Sequence, residues 1–193
     1  MTTLVTRKDG IDPYPNVLLR GQVFLSIVQS INFFDFEPVV NEWLTESKIK
    51  TIDPSAWYPR QEWLNLLKKL EKYSNTTENQ VSIGIKVIEN SELPPDLVIA
   101  NVLDAINVLI MVYVNEQKNL PEGDKGYEVT KIDDTHYDIL DTNPYLFHVN
   151  YGYIWGILRR FLKTGFSLTY EYLNMENPNM GAIRFKVKLD SAG

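Results

Sequence analysis

From Tyr127 onward the chain alternates in register with a strand: Tyr127, Val129 and Lys131 fall on one side, Glu128, Thr130 and Ile132 on the other. Asp133-Asp134 then supplies turn chemistry before Tyr137 and Ile139 resume the alternation, which predicts an antiparallel hairpin. Asn143-Pro144 breaks the strand. Tyr151, Ile154, Trp155, Leu158, Phe161 and Leu162 recur at helical spacing, predicting a helix that starts with Asn150-Tyr151-Gly152 and ends near Gly165. Phe166, Leu168, Tyr170 and Tyr172, and after a turn with Asn177-Pro178 and Gly181 also Ile183, Phe185, Val187 and Leu189, alternate with polar residues as a second hairpin. Each strand has one apolar face to bury and the helix has one to offer, so the pattern predicts a β-β-α-β-β unit: a four-stranded antiparallel sheet crossed by a helix.

The first half reads differently. Residues 1–17, with Gly10, Pro13 and Pro15, predict an irregular arm. Val23, Phe24, Ile27, Val28 and Ile31 form a helical stripe; Asp35 and Glu37-Pro38 mark the start of a second helix carrying Val39, Val40, Trp43 and Leu44. Pro59 suits the first turn of a third, with Trp63, Leu66, Leu67 and Leu70 inward, and Thr77 with Gln80 suits a capping box for a fourth. Pro94-Pro95 opens the longest, from Asp96 to Asn119, with Val98, Val102, Ala105, Ile106, Leu109 and Tyr113 on one stripe and Leu103, Ile110, Met111 and Val114 on other sides. Residues 120–125 read as a hinge. The fold class is therefore α+β, with about five helices over 18–119 packed against the sheet unit of 126–189 as one domain, 18–193.

Composition narrows the function. At 193 residues and 44% hydrophobic the chain can bury a substantial core, and its formal charge of -6 disfavours a nucleic-acid surface. The absence of cysteine excludes disulfides, thiolate metal sites and cysteine nucleophiles. The apolar run from Leu97 to Val114 contains Asn101, Asp104 and Asn107, which predicts a buried or subunit-facing helix and not a membrane span. The N-terminus lacks the basic start and apolar core of a secretion signal, so a cytoplasmic location is expected.

No catalytic signature is present. His136 and His148, expected near strand or loop ends, follow no metal-binding spacing, even with Asp134 or Asp141; Asp133-Asp134, Asp138 and Asp141 suit turn solvation better than a cation loop. There is no Gly-x-Ser-x-Gly and no phosphate-binding glycine loop. Arg159-Arg160-x-x-Lys163 and the strip Arg184, Lys186, Lys188 read as solvated faces before they read as an anion site. Aromatic residues, 12% of the chain, concentrate at Trp57, Tyr58 and Trp63 and again from Tyr145 to Trp155. They suit core packing, a small apolar pocket or a protein interface.

Tyr127-Glu128-Val129, the Tyr137-Asp138-Ile139 strand, Tyr145, Asn150-Tyr151-Gly152 and the final hairpin resemble the C-terminal half of a superfamily. It joins haem nitric-oxide/oxygen-binding domains, four-vinyl reductase domains and the Golgi-tethering TRAPP subunits. Arg20-Gly21-Gln22-Val23-Phe24 and Tyr58-Pro59-Arg60-Gln61-Glu62-Trp63 are similar to a bacterial, largely uncharacterised branch of that group. The resemblance implies a scaffold that encloses an apolar cavity or presents a dimerising helical surface. Haem-binding members supply a histidine from a helix ahead of the sheet and a Tyr-x-Ser-x-Arg motif for the propionates. Here 96–119 contains no histidine and that motif is absent, so no haem and no other cofactor is expected.

These features predict a non-catalytic sensory or regulatory domain for a small apolar ligand or a protein partner, with Trp63, Leu109, Tyr113, Tyr151, Trp155 and Phe185 as candidate pocket residues. The alternative is an assembly subunit that oligomerises through its long apolar helix.

Overall fold

The alternating segments of the second half pair as their period requires in the computed structural model, which describes residues 10–28, 33–73, 77–91, 93–94, 97–173 and 181–190. In chain order the elements are β1 (Leu18–Arg20), α1 (Gly21–Val28), α2 (Phe33–Ser47), β2 (Trp57–Pro59), α3 (Arg60–Tyr73), α4 (Thr77–Asn90), α5 (Val102–Asn115), β3 (Gln117–Lys118), β4 (Tyr127–Lys131), β5 (His136–Asp141), α6 (Phe147–Phe161), β6 (Phe166–Tyr172) and β7 (Ile183–Leu189). The fold is α+β, as the sequence predicts.

The larger sheet is antiparallel throughout, in the order β4-β5-β7-β6, with Val129 opposite Ile139, Ile139 opposite Phe185 and Phe185 opposite Tyr170. Tyr137, Ile139, Ile183, Phe185 and Val187 are buried on one face, and α6 lies across it through a stacked Phe147–Phe185 pair and Trp155 against Phe166. The first turn is held by Asp133, whose carboxylate accepts from the backbone N–H groups of Thr135 and His136.

The smaller sheet, β2-β1-β3, was not legible in the sequence. Its strands are three, three and two residues long, too short to show a period. It ties together segments from three distant parts of the chain and buries Leu19.

Helix α5 is shorter than the predicted 96–119. Asn101 caps its start by accepting from the Asp104 N–H at 3.0 Å, and at its other end residues 117–118 leave the helix to pair with β1, after which Asn119 takes a positive φ of 60°. Val98, predicted on the inner stripe, precedes the helix and is 85% exposed. Helix α6 runs from Phe147 to Phe161 and not from Asn150 to Gly165, placing His148 and Asn150 in its first turn. Pro59 ends β2 instead of entering α3, and α2 begins at Phe33, ahead of the predicted Asp35–Pro38 start. Ile31, Pro95, Asp96 and the Asn177-Pro178 turn lie outside the described residues, as does the chain before Gly10; residues 10–17 hold no helix or strand.

Helices α4 and α6 form the closest helix pair. A Cβ on Gly84 would meet the Val149 carbonyl oxygen and sit 2.8 Å from Gly152 Cα, while a Cβ on Gly152 would meet the Val81 carbonyl oxygen. The two backbones touch because neither residue carries a side chain. No helix among the described residues is long and apolar enough to cross a membrane.

Candidate functional site

Where the helical half meets the sheet half, the core leaves a cavity of about 30 Å³. Val23 of α1, Val87 and Ile88 of α4, and Leu109, Val112 and Tyr113 of α5 wall it from one side; Tyr127 of β4, Tyr145 of the segment between β5 and α6, and Tyr153 of α6 close it from the other. These positions are apolar or phenolic because each lies on the inward face of its element and none reaches water: every one is below a tenth exposed. The volume is roughly that of one or two water molecules.

Four buried tyrosines form a chain along this junction. Tyr113 meets Tyr127 and Tyr145 edge-on, each with ring centroids 6.1 Å apart, and Tyr145 meets Tyr153 at 6.0 Å. Tyr127 donates to Asn150 Oδ1 at 2.9 Å, and Asn150 in turn donates from Nδ2 to Asn143 Oδ1 at 2.8 Å and to the Tyr145 carbonyl. The Asn150 amide therefore fastens the 141–146 loop against β4, which is the physical use of an asparagine at that point of α6.

Beside Tyr113 lies a buried ion pair. Arg60, at the start of α3, is fully buried and makes a two-pronged contact with Asp12 of the arm: Nε to Oδ2 at 2.8 Å and Nη2 to Oδ1 at 2.6 Å. Its Nη1 donates to Gln117 Oε1 at 2.8 Å and to the Tyr113 hydroxyl at 3.2 Å. Gln61 seconds the clasp, accepting from the Asp12 N–H and donating to the Gly10 carbonyl. Burial, the largest single influence, works against the Arg60 charge, but the hydrogen bonds to Asp12 together with the electrostatic influence of Tyr113, Tyr145 and Asp12 outweigh it and hold the guanidinium above its ordinary value.

Burial pushes the phenols of Tyr113, Tyr127, Tyr145 and Tyr153 up, with the Arg60 charge opposing it at Tyr113 and Tyr145. Burial likewise raises the carboxyl of Asp124, which accepts weakly from the Tyr113 hydroxyl at 3.4 Å. A phenol whose proton is held more tightly in the folded state contributes stability that is intact below about pH 10 and is lost as the pH rises beyond it. We expect a spectrophotometric titration to show that these four of the eleven tyrosines stay protonated until the chain unfolds. Smooth ionisation of all of them with unchanged circular dichroism would contradict the burial.

The six candidate pocket residues fall in three places. Leu109 and Tyr113 line the cavity. Trp63 is fully buried outside its lining, edge-on to Phe24. Tyr151, Trp155 and Phe185 belong to the layer between α6 and the sheet, where Tyr151 stacks on Trp155 at 6.1 Å and tilts against Phe185 at 6.2 Å. A helix buries two sides here, and the apolar period of α6 does not say which of them meets α5. Tyr145 and Tyr153 were visible as part of the second aromatic stretch; Arg60, Asp12 and Tyr127 carried no signal of burial against one another. The basic strips are occupied by ion pairs and backbone contacts: Arg184 and Lys186 both bind Glu171 at 2.8 Å, and Arg160 donates to the Ile88 carbonyl. Among the described residues no three His, Cys, Asp or Glu side chains are grouped to hold a metal ion.

No family model matches the chain, and no curated protein matches it in sequence. Solved structures do match in fold. An H-NOX protein from S. oneidensis in the Fe(II) ligation state, carrying three substitutions, superposes with a TM-score of 0.63 at 13% identity over 91% of this chain and 98% of that one. A mutant Fe(II) unliganded H-NOX protein from K. algicida gives 0.63 at 14% identity over 90% and 97%. An H-NOX-family structure solved to probe the function of heme distortion gives 0.64 at 13% over 91% and 97%. The fold is H-NOX-like, the fold of the haem nitric-oxide/oxygen-binding domains among the groups joined by the sequence resemblance.

Proposed function

We propose that this chain is a non-catalytic sensory domain on an H-NOX-like scaffold, working without haem and answering to a small apolar molecule in the cavity between its two halves. The observation that carries this reading is the cavity itself, largely apolar and walled by α1, α4 and α5 on one side and by Tyr127, Tyr145 and Tyr153 on the other.

The residues present do not fit a haem. α5, the helix ahead of the sheet, has no histidine. His136 is 45% exposed and bonded to Asp133, and His148 stands beside Phe147 in the first turn of α6; neither lines the cavity. The lining tyrosines would have to give up protons that burial makes them hold, and about 30 Å³ lies far below the ~300 Å³ at which ligand pockets begin. A haem-free member of the superfamily, of the bacterial branch that the N-terminal motifs resemble, accounts for these features.

Occupancy acts through the wall. A molecule larger than the present space must part Leu109 and Tyr113 from Tyr145 and Tyr153, shifting the halves across residues 120–125, and it favours the opened arrangement by as much as it binds that arrangement better. With about four heavy atoms, such a ligand gains at most about 6 kcal/mol, a dissociation constant in the tens of micromolar.

Pressurised xenon, followed by methyl NMR, tests the cavity: the signals of Val23, Val87 and Leu109 should shift, and Leu109→Phe should abolish the shift. Silent methyls would sink the reading. A haem absorption band in protein purified from haem-replete cells would overturn its haem-free part.

The assembly reading rests on a different observation. Val102, Ala105, Ile106, Val108, Leu109, Val112 and Tyr113 of α5 are consumed by the chain's own core, leaving Leu103, Ile110 and Met111 half-buried and Val114 exposed as the stripe an oligomer would use. Sedimentation across a wide concentration range separates the two readings.

A further inference from the structure

The larger sheet ends in β4 on one side and in β6 on the other. At the two ends of β6 the Gly165 carbonyl accepts from the Asp190 N–H and the Leu173 N–H donates to the Ala182 carbonyl, so the odd-numbered residues turn their backbone groups toward β7. Phe166, Leu168, Tyr170 and Tyr172 therefore turn theirs outward. Among the described residues the only hydrogen bond on that edge comes from the Tyr151 hydroxyl, 3.5 Å from the Leu168 carbonyl, which keeps a second lone pair. Proteins blunt such an edge with charge, proline or a bulge. β6 uses none of these: it pairs with β7 residue for residue, contains no proline, and its one charge, Glu171, is engaged by Arg184 and Lys186. β4, by contrast, is five residues long and carries Glu128 and Lys131.

We propose that this edge pairs with the same edge of a second copy of the chain, antiparallel about a two-fold axis at Thr169. The strand Phe166–Tyr172 is complementary to itself in that register. Thr169 meets Thr169, Leu168 meets Tyr170, Ser167 meets Glu171 and Phe166 meets Tyr172. Every outward backbone group then finds a partner, apolar side chains face apolar ones, and no like charges stand opposite one another. Moving the axis to Leu168 or Tyr170 leaves strand residues unpaired. The charges agree with the register as well. Lys188, exposed and without an ion-pair partner among the described residues, stands opposite Ser167 in β7, and Ser167 stands opposite Glu171 of the second copy. The three form one row on the polar face, where Lys188 reaches over the small serine to a carboxylate two strand spacings, about 9.5 Å, away. On the other face Tyr170, 47% exposed, covers Leu168 of the second copy, beside a groove of about 370 Å³ lined by Val81, Phe147 and Tyr151. One strand pair makes a small interface, so dissociation in the micromolar range is expected.

Sedimentation equilibrium of the full chain should show a monomer–dimer equilibrium. Thr169→Lys sets two lysines face to face on the axis, each beside a Lys186, and should weaken the dimer roughly tenfold or more with circular dichroism unchanged. The chain has no cysteine, so Thr169→Cys gives each copy a single thiol. Mild oxidation should join two copies through it, whereas Ser167→Cys should not crosslink, because its thiols lie about 13 Å apart along the strands. A chain that stays monomeric up to about 1 mM overturns the proposal. So does a Thr169→Lys protein that dimerises as tightly as the parent, or a Thr169→Cys protein that crosslinks no faster than Ser167→Cys. A dimer that survives Thr169→Lys but is lost in Val114→Lys belongs to α5, and upholds the assembly reading in place of this one.

Discussion

Gly84→Ala should destabilise the protein by about 3 kcal/mol, despite the ~1 kcal/mol that alanine gains over glycine in a helix interior. The added methyl has no rotamer in which to escape. It meets the Val149 carbonyl oxygen and stands 2.8 Å from Gly152 Cα, both backbone atoms of α6, so the two helices must separate along their whole contact. Gly152→Ala should cost a similar amount through the Val81 carbonyl. The double variant should cost less than the sum, because one separation relieves both clashes. Gly156 is the control: its nearest contacts are Ile85 Cα at 3.3 Å and Ile88 Cβ at 3.4 Å, which a shift of a few tenths of an ångström relieves, so alanine there should change stability by less than about 1 kcal/mol. Urea unfolding at equilibrium measures all four. A Gly84→Ala protein as stable as the parent would mean that α4 and α6 do not cross this closely.

Asp12→Ala should cost about 3–5 kcal/mol, and more than Arg60→Met. The asymmetry follows from where each partner is anchored. Arg60 stands at the start of α3 with its guanidinium in the core, bonded to Tyr113 and Gln117, and cannot reach water when Asp12 is removed. Asp12 sits in an irregular segment; when Arg60 is removed it can rehydrate by releasing residues 10–17, losing the clasp but leaving no buried charge. Arg60→Met should therefore expose the arm to proteolysis, and the pair Asp12→Ala/Arg60→Met should recover much of the loss of Asp12→Ala. Additive effects in this double-mutant cycle would show that the two groups do not share their burial.

The β-β-α-β-β half was legible because its strands are five to seven residues long and alternate cleanly, and because Asp133-Asp134 marks its first turn. What failed there was the boundary of α6: Leu146 precedes the helix without a side-chain cap bond, so nothing in the sequence signals that the first turn is 147–150. In the helical half the elements were foreseen, but the strands of the smaller sheet were hidden inside what read as helix ends. Gln117 and Lys118 continue the polarity of α5 and differ from it only in pairing with a strand some hundred residues earlier, which no local window contains. The candidate site suffered from the same limit. Leu109 and Tyr113 line the cavity, on the inward face that a helix period identifies. Tyr151, Trp155 and Phe185 share the chemistry of pocket residues, yet face the sheet instead, and Arg60 reads locally as an ordinary basic residue at a helix start.

Strand β1 carries a consequence for biosynthesis. One neighbour, β2, follows it about forty residues later in the chain and the other, β3, only after roughly a hundred, as do the Tyr113 and Gln117 groups that complete the surroundings of Arg60. At typical elongation rates the N-terminal segment waits about 5–20 s for its last partner. During that interval the β3 side of Leu18–Arg20 is an unpaired edge and the Arg60 cluster is incomplete, so the strand translated first of the three is secured only when the last of them arrives. Slowing translation between α3 and α5 should lengthen the exposure of this segment to chaperones and proteases without altering the native state that is finally reached.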